Sequence, residues 1–277
     1  MIPRRSIILR FRITLPMLSQ LASEEGRLYI CACFGEEIHM PSNITERLQK
    51  IRDQISQTAQ EVGRDPSTIS LVAVSKYQPA GAVAEAIEAG QRVFGESRLQ
   101  GAAEKIETIR LRFSDLSDDI HWSFIGALQS NKVKPILECF HSIQSIDRVK
   151  LLNRVDRIAG ELNVSKSILL QVNVSGAEMQ GGIPISQLPS LAEAAAKCDH
   201  IRVDGLMAIG ANSDNEDEIR SSFRDVRKAA DALTKMNLPN ISMNILSMGM
   251  TGDYKIAIEE GSTLVRIGTA IFGPRPS

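Results

Sequence analysis

From Leu71 onward, short apolar runs alternate with helical segments, and this alternation limits the fold more than any other feature of the chain. Strand-like runs cover 71–76, 92–96, 121–125, 141–145, 168–174, 203–209, 243–248 and 264–267. Helical periodicity fills 79–90, 98–112, 131–138, 148–161, 185–197 and 216–236 between them. Strands this brief and this apolar belong to a parallel sheet covered by helices. Eight of them in about 200 residues have the size and rhythm of a single (β/α)8 TIM barrel. The rival, a doubly wound open sheet, needs a glycine-rich first strand-to-helix turn, and Ser75-Lys76-Tyr77-Gln78-Pro79 is not one. An extra N-terminal helix precedes the barrel. From Ser42 or Asn43, with Glu46 placed to complete a capping box, Ile44, Leu48, Ile51, Ile55 and Ala59 recur at helical spacing.

The first 39 residues differ in kind. Arg4, Arg5, Arg10 and Arg12 interrupt Ile7, Ile8, Leu9, Phe11 and Ile13 with no acid nearby, a pattern that superficially resembles an organellar presequence. No apolar run approaches the roughly 20 residues of a spanning helix, so no membrane segment is expected. Residues 1–39 are expected to be a disordered leader or an over-extended gene start, with Met40 as the true first residue and 40–277 as the barrel domain. Thirty-two basic residues against 33 acidic ones leave a net charge of -1, which argues against a nucleic-acid or acidic-membrane partner. Cys31, Cys33, Cys139 and Cys198 lack CxxC spacing and no His cluster accompanies them. Reduced thiols and a cytoplasmic location are the simplest expectation.

In a barrel the strand C-termini converge on one site, so the residues there are read together. Strand one runs unbroken into Lys76. An ammonium buried among apolar neighbours sheds its proton more readily, and the neutral amine is the nucleophile that forms an imine with an aldehyde. Ser247-Met248-Gly249-Met250 follows strand seven, and Arg266-Ile267-Gly268-Thr269 spans the end of strand eight. Hydroxyls and small residues at these two ends suit a phosphate, which barrels commonly hold there. The plain alternatives are a strand-end lysine reaching solvent and ordinary turn glycines.

The runs Leu71-Val-Ala-Val-Ser-Lys76, Phe94-Gly-Glu96, Phe124-Ile-Gly126, Leu128-Gln-Ser-Asn-Lys132, Gly205-Leu-Met-Ala208, Leu246-Ser-Met-Gly-Met250 and Gly261-Ser-Thr-Leu-Val-Arg-Ile-Gly-Thr-Ala-Ile-Phe-Gly273 closely resemble the pyridoxal phosphate homeostasis proteins. These are single-domain relatives of the alanine racemase N-terminal barrel, and the match covers Asn43 to Pro274. The resemblance implies a protein that binds and buffers pyridoxal 5'-phosphate (PLP) without turning over a substrate, passing it to PLP-dependent apo-enzymes, as a monomer or weak dimer. Carried over, Lys76 resembles the Schiff-base lysine. Ser247, Met248, Gly249, Gly268 and Thr269 resemble the phosphate-side residues, and Arg266 the residue facing the pyridine nitrogen. A guanidinium there disfavours protonation of the ring and weakens it as an electron sink. The alternative is a racemase-like enzyme, for which a tyrosine serves as second base. Tyr29, Tyr77 and Tyr254 are the only tyrosines, and Tyr77 is expected to point away from Lys76 on the strand. The chain departs from the family pattern at Ser97, Arg98, Ser123, Ala127, Gln180 and Gly252. His121 is expected to face away from Ser123 and not to replace the family's imidazole there.

Overall fold

The computed structural model describes residues 43–174 and 181–274, all within the compact unit Ser42–Ser277. The expectations for 1–39, Met40, the Ser42 cap, Tyr29, Cys31, Cys33 and Gln180 therefore lie outside the described residues. Nine strands form one parallel sheet: β1 (Ser70–Val74), β2 (Val93–Glu96), β3 (His121–Phe124), β4 (Ser142–Ile146), β5 (Lys166–Asn173), β6 (Ile183–Pro184), β7 (Ile201–Ile209), β8 (Ile241–Ser247) and β9 (Leu264–Ile267). The order β4-β3-β2-β1-β9-β8-β7-β5 closes on itself through β4–β5 pairing, so eight strands make the expected barrel. β6 is a two-residue addition against the end of β5.

The helices are α1 (Asn43–Glu61), α2 (Ala80–Glu88), α3 (Ala102–Arg112), α4 (Val133–Cys139), α5 (Val149–Glu161), α6 (Leu188–Ala195), α7 (Glu216–Lys235), α8 (Tyr254–Glu259) and α9 (Thr269–Phe272). α3 starts later than its periodicity suggests because Gly101, at φ 79°, sets a left-handed turn before it. α7 opens where expected, with the Asn215 side chain accepting from Asp217 N at 2.9 Å. α1 is the extra helix. Ile44, Leu48, Ile51, Ile55 and Ala59 are all buried, and the helix packs on α2, α8 and α9. Arg52 of α1 donates to Ala89 O at 2.9 Å, and Arg64, just past the helix, donates to Ile258 O of α8 at 2.7 Å. None of the described helices is long and apolar enough to cross a membrane.

Two apolar clusters divide the interior. The larger lies between sheet and helices and includes Phe94, Trp122, Phe140 and Phe223. The smaller joins Val72, Val74 and Leu264 with Val93, Ile125 and Ile245 and fills part of the lumen. Gly95 keeps room for it, since a Cβ there would sit 2.8 Å from Val72 Cγ1. At Gly205 on β7 the constraint is stricter: φ is 158°, and a Cβ would fall 1.8 Å from Ile245 O of β8. Backbone cannot yield to that contact without parting two strands. Gly205→Ala is expected to destabilise the barrel by about 3 kcal/mol or more, read from urea unfolding followed by far-UV circular dichroism.

Candidate functional site

Three neighbouring strands, β1, β9 and β8, carry the residues singled out above to one rim of the barrel. Lys76 stands two residues beyond the end of β1, half-buried, and its amine has no hydrogen-bond partner among the described residues. β1 itself is buried from Val72 onward, as expected, but the chain turns before the lysine. Tyr77 is therefore not on a strand pointing away from Lys76. It adopts φ 67°, is exposed, and its ring lies under the Arg98 guanidinium at 5.1 Å.

Arg266 is the buried charge of the site. On β9 it sits opposite Val72 of β1 and shares the inward face of Leu264 two residues earlier. Its Nη1 donates to Ser247 O and Ser247 Oγ, both at 2.6 Å, and its Nη2 donates to Ala208 O at 2.8 Å. Ala208 is on β7, which does not neighbour β9, so the side chain crosses the lumen. Ser247 Oγ in turn donates to Gln144 Oε1 of β4 at 2.7 Å, again between strands that are not neighbours. The result is a polar layer across the barrel: Gln144, Ser247, Arg266 and the Ala208 carbonyl. Burial lowers the Arg266 pKa to about 10, opposed by the charge of Asp253. Of its five N–H groups, the Nε–H and one Nη2–H have no partner among the described residues.

The remaining candidates divide by what they can present. Ser247 is fully buried with its hydroxyl spent on Arg266 and Gln144, so it orients the guanidinium. The Met248 side chain belongs to the outer core, which leaves only its backbone for the rim. Gly249 has φ 92°, and a Cβ would lie 2.7 Å from Ala257 Cβ; its carbonyl accepts from Arg266 N at 3.0 Å. Gly268 has an ordinary φ of −117°, so space rather than backbone freedom keeps it small: a Cβ would lie 3.1 Å from Val74 O. That approach brings the end of β9 against the end of β1, next to Lys76. Thr269 is exposed and opens the four-residue α9, in which Ile271 N and Phe272 N donate to Gly268 O at 2.9 Å, while Thr269 N and Ala270 N have no backbone partner among the described residues.

The positions that depart from the family pattern sit around this rim or behind it. Ser123 is buried and shares a hydrogen bond with Ser142, Oγ to Oγ 2.9 Å. His121 lies on the same face of β3 as Ser123, not the opposite one, because β3 is continuous and side chains alternate. It still cannot replace an imidazole there, since it is exposed at the strand's start, edge-on to His141 at 5.1 Å. Ser97 lies against Gly126, where a Cβ would be 2.1 Å from Ser97 O, and Gly252 is open to solvent. Tyr254 faces away from the rim: it is buried and its hydroxyl donates to Gln54 of α1 at 3.0 Å. Two features escaped the sequence reading. Gln144 is only one of several polar residues in His141-Ser142-Ile143-Gln144-Ser145-Ile146, and the bonds Glu96 makes are not legible from its place in Phe94-Gly-Glu96.

Comparison with known proteins gives the class first. The alanine racemase N-terminal domain family matches residues 47–276, and the barrel with its rim is of that type. The pyridoxal phosphate homeostasis protein of Escherichia coli (strain K12) is 41% identical over 236 residues, covering 84% of this chain and 97% of that protein. Its namesake from Aquifex aeolicus (strain VF5) is 36% identical over 233 residues, covering 84% and 99%. The structure of PipY from Synechococcus elongatus PCC7942 with PLP bound superposes with a TM-score of 0.69 at 36% identity, covering 83% of this chain and 100% of that one. This chain belongs to the pyridoxal phosphate homeostasis protein family.

Asp253 offers a test of the rim's electrostatics. Its Oδ1 accepts from Met250 N at 2.5 Å, yet burial raises its pKa, against the pull of that bond and of Arg266. A carboxyl whose folded pKa lies above its unfolded value of 3.8 favours the folded state while protonated. That contribution is present below the unfolded pKa and is lost as pH rises through the folded pKa. Asp253→Asn should remove this loss, so unfolding curves measured from pH 3 to pH 7 should converge at the acid end and separate in the variant's favour as pH rises.

Proposed function

We propose that this chain binds pyridoxal 5'-phosphate at the C-terminal rim of its barrel, through the Lys76 amine, and holds it without turning over a substrate. When bound, PLP supplies an aldehyde that condenses with an unprotonated amine with loss of water, and a phosphate anion. The observation that carries the reading is that β1, β9 and β8 are neighbouring strands, so Lys76, Arg266 and the Gly268–Thr269 turn come from adjacent strand ends, with Gly268 packed against Val74 O. The half-buried Lys76 amine has no hydrogen-bond partner among the described residues. Thr269 N and Ala270 N at the start of α9 offer backbone N–H groups to the phosphate, with Thr269 Oγ1 beside them. Gly249 and Met248 line the neighbouring turn with backbone alone, and Ser247 acts by holding Arg266.

Arg266 argues against broad carbanion chemistry, and of the enzyme readings only a racemase-like reaction would tolerate it. The donors it has left face no acceptor among the described residues, and a guanidinium donating to a ring nitrogen keeps that nitrogen unprotonated. The ring is then a poor electron sink for carbanion chemistry. A racemase further needs a base on each face of its substrate. The Tyr254 hydroxyl, tied to Gln54 behind the barrel, does not supply the second. With a net charge of -1 the chain is not built for nucleic acid, and its role is cytoplasmic, as a monomer or weak dimer that releases PLP to PLP-dependent apo-enzymes.

Borohydride treatment of the PLP-loaded protein should leave one acid-stable adduct, found by peptide mass mapping on the fragment containing Lys76 and missing from Lys76→Ala. An adduct at Lys132 or Lys255 instead would reject the assignment. The loaded protein incubated with L-amino acids should leave them unchanged; inversion at the α-carbon would favour the racemase reading.

A further inference from the structure

Behind the rim, on the side of β1 and β2 that faces α3, a second polar cluster is closed off from water. Glu96, the last residue of β2, and Lys105, in α3, form an ion pair at 2.7 Å with side chains 4% and 9% exposed. Both partners also grip one residue. Ser75 Oγ donates to Glu96 Oε1 at 2.8 Å, and Lys105 Nζ donates to Ser75 O at 2.8 Å. Ser75 N donates in turn to Gly95 O at 3.0 Å. Every polar group of Ser75 is thus held, and Ser75 itself is fully buried. The next residue is Lys76.

A buried ion pair is a weak device for stability, because desolvating two charges offsets much of their attraction. It is a strong device for direction, since each partner has a fixed place and each bond a preferred angle. Here the bonds converge on the peptide from which Lys76 departs, at the point where β1 gives way to a turn with Tyr77 at φ 67°. We infer that Glu96 and Lys105 are positioning residues: together they clamp Ser75 so that the Lys76 amine is presented to the rim in a fixed place. The inference rests on the assignment of Lys76 as the PLP-bearing residue. The pair touches no cofactor and acts through the backbone.

The clamp makes a prediction that a general stabilising role does not. Pyridoxine 5'-phosphate carries the same ring and phosphate but an alcohol where PLP has its aldehyde, so it fills the site without bonding to a lysine. Ser75→Ala removes one bond and leaves the ion pair in place; Lys105→Met removes the bond to Ser75 O and the charge; Lys105→Arg restores charge and donors. Relative to the parent, borohydride-trappable PLP at Lys76 should form about three- to tenfold more slowly in Ser75→Ala, the scale of one hydrogen bond. In Lys105→Met, which loses both the bond to Ser75 O and the ion pair with Glu96, the slowing should be larger still, and it should recover in part in Lys105→Arg. Affinity for pyridoxine 5'-phosphate, read by calorimetry, should stay within about twofold throughout. Glu260→Gln, which breaks the buried contacts of Glu260 with Arg220 and Arg224, serves as the control for lost stability and should trap PLP at the parent's rate. Equal losses for PLP and pyridoxine 5'-phosphate, or parental trapping rates in Ser75→Ala and Lys105→Met, would overturn the clamp while leaving Lys76 as the PLP site. Absence of an adduct at Lys76 in the parent would overturn both.

Discussion

A guanidinium inside a barrel is tolerable only if the lumen is built around it. Moving such a charge out of water costs several kcal/mol even after the surroundings relax, and Arg266 forms no ion pair among the described residues to offset it. Three oxygens from β7 and β8 do so instead, each contributing about 1.5–3 kcal/mol as an acceptor from a charged donor. That requirement reaches across the barrel. It assigns the Ser247 hydroxyl to Arg266, and through Ser247 it engages Gln144 on β4. The lumen is accordingly split between an apolar half around Val72, Val74 and Leu264 and a polar half around Arg266.

The rim follows from the same layering. Because Arg266 and Leu264 occupy the inward face of β9, the strand leaves the barrel at Gly268, pressed against the Val74 carbonyl. β1 ends at the same height, and Ser75 is clamped from behind by Glu96 and Lys105. In the proposed site, two buried basic side chains act from opposite sides of the barrel wall. Arg266 works inside the lumen, on whatever ring lies there; Lys105 works outside it, on the backbone that presents Lys76. That division suits a protein that grips a reactive cofactor and keeps it idle.

Much of the fold was legible because period and chain order are local signals. The eight barrel strands fell within about two residues of their expected places, and the inward face of α1 was read residue by residue from Ile44 to Ala59. The short β6, α8 and α9 were not, since two to six residues carry no period to detect. The site was legible as a set of strand ends and not as a network. Position at a strand end gives a residue's height but not its partner, so Ser247 read as a phosphate ligand while its hydroxyl turns inward to Arg266. Bonds that cross the lumen, such as Ser247 to Gln144, join residues 103 apart and leave no trace in spacing. Lys105 looked like any lysine on a surface helix. Only the packing of α3 on the sheet shows that it is buried.

The central proposal is that Arg266 holds the pyridine nitrogen of bound PLP unprotonated and so keeps the ring a weak electron sink. Loading the protein with PLP labelled with nitrogen-15 in the ring and recording the nitrogen chemical shift reads that proton directly. A shift in the neutral pyridine range that moves to the pyridinium range in Arg266→Glu is the expected result. A pyridinium shift in the unmodified protein would contradict the account, and the inertness of the cofactor would need another cause.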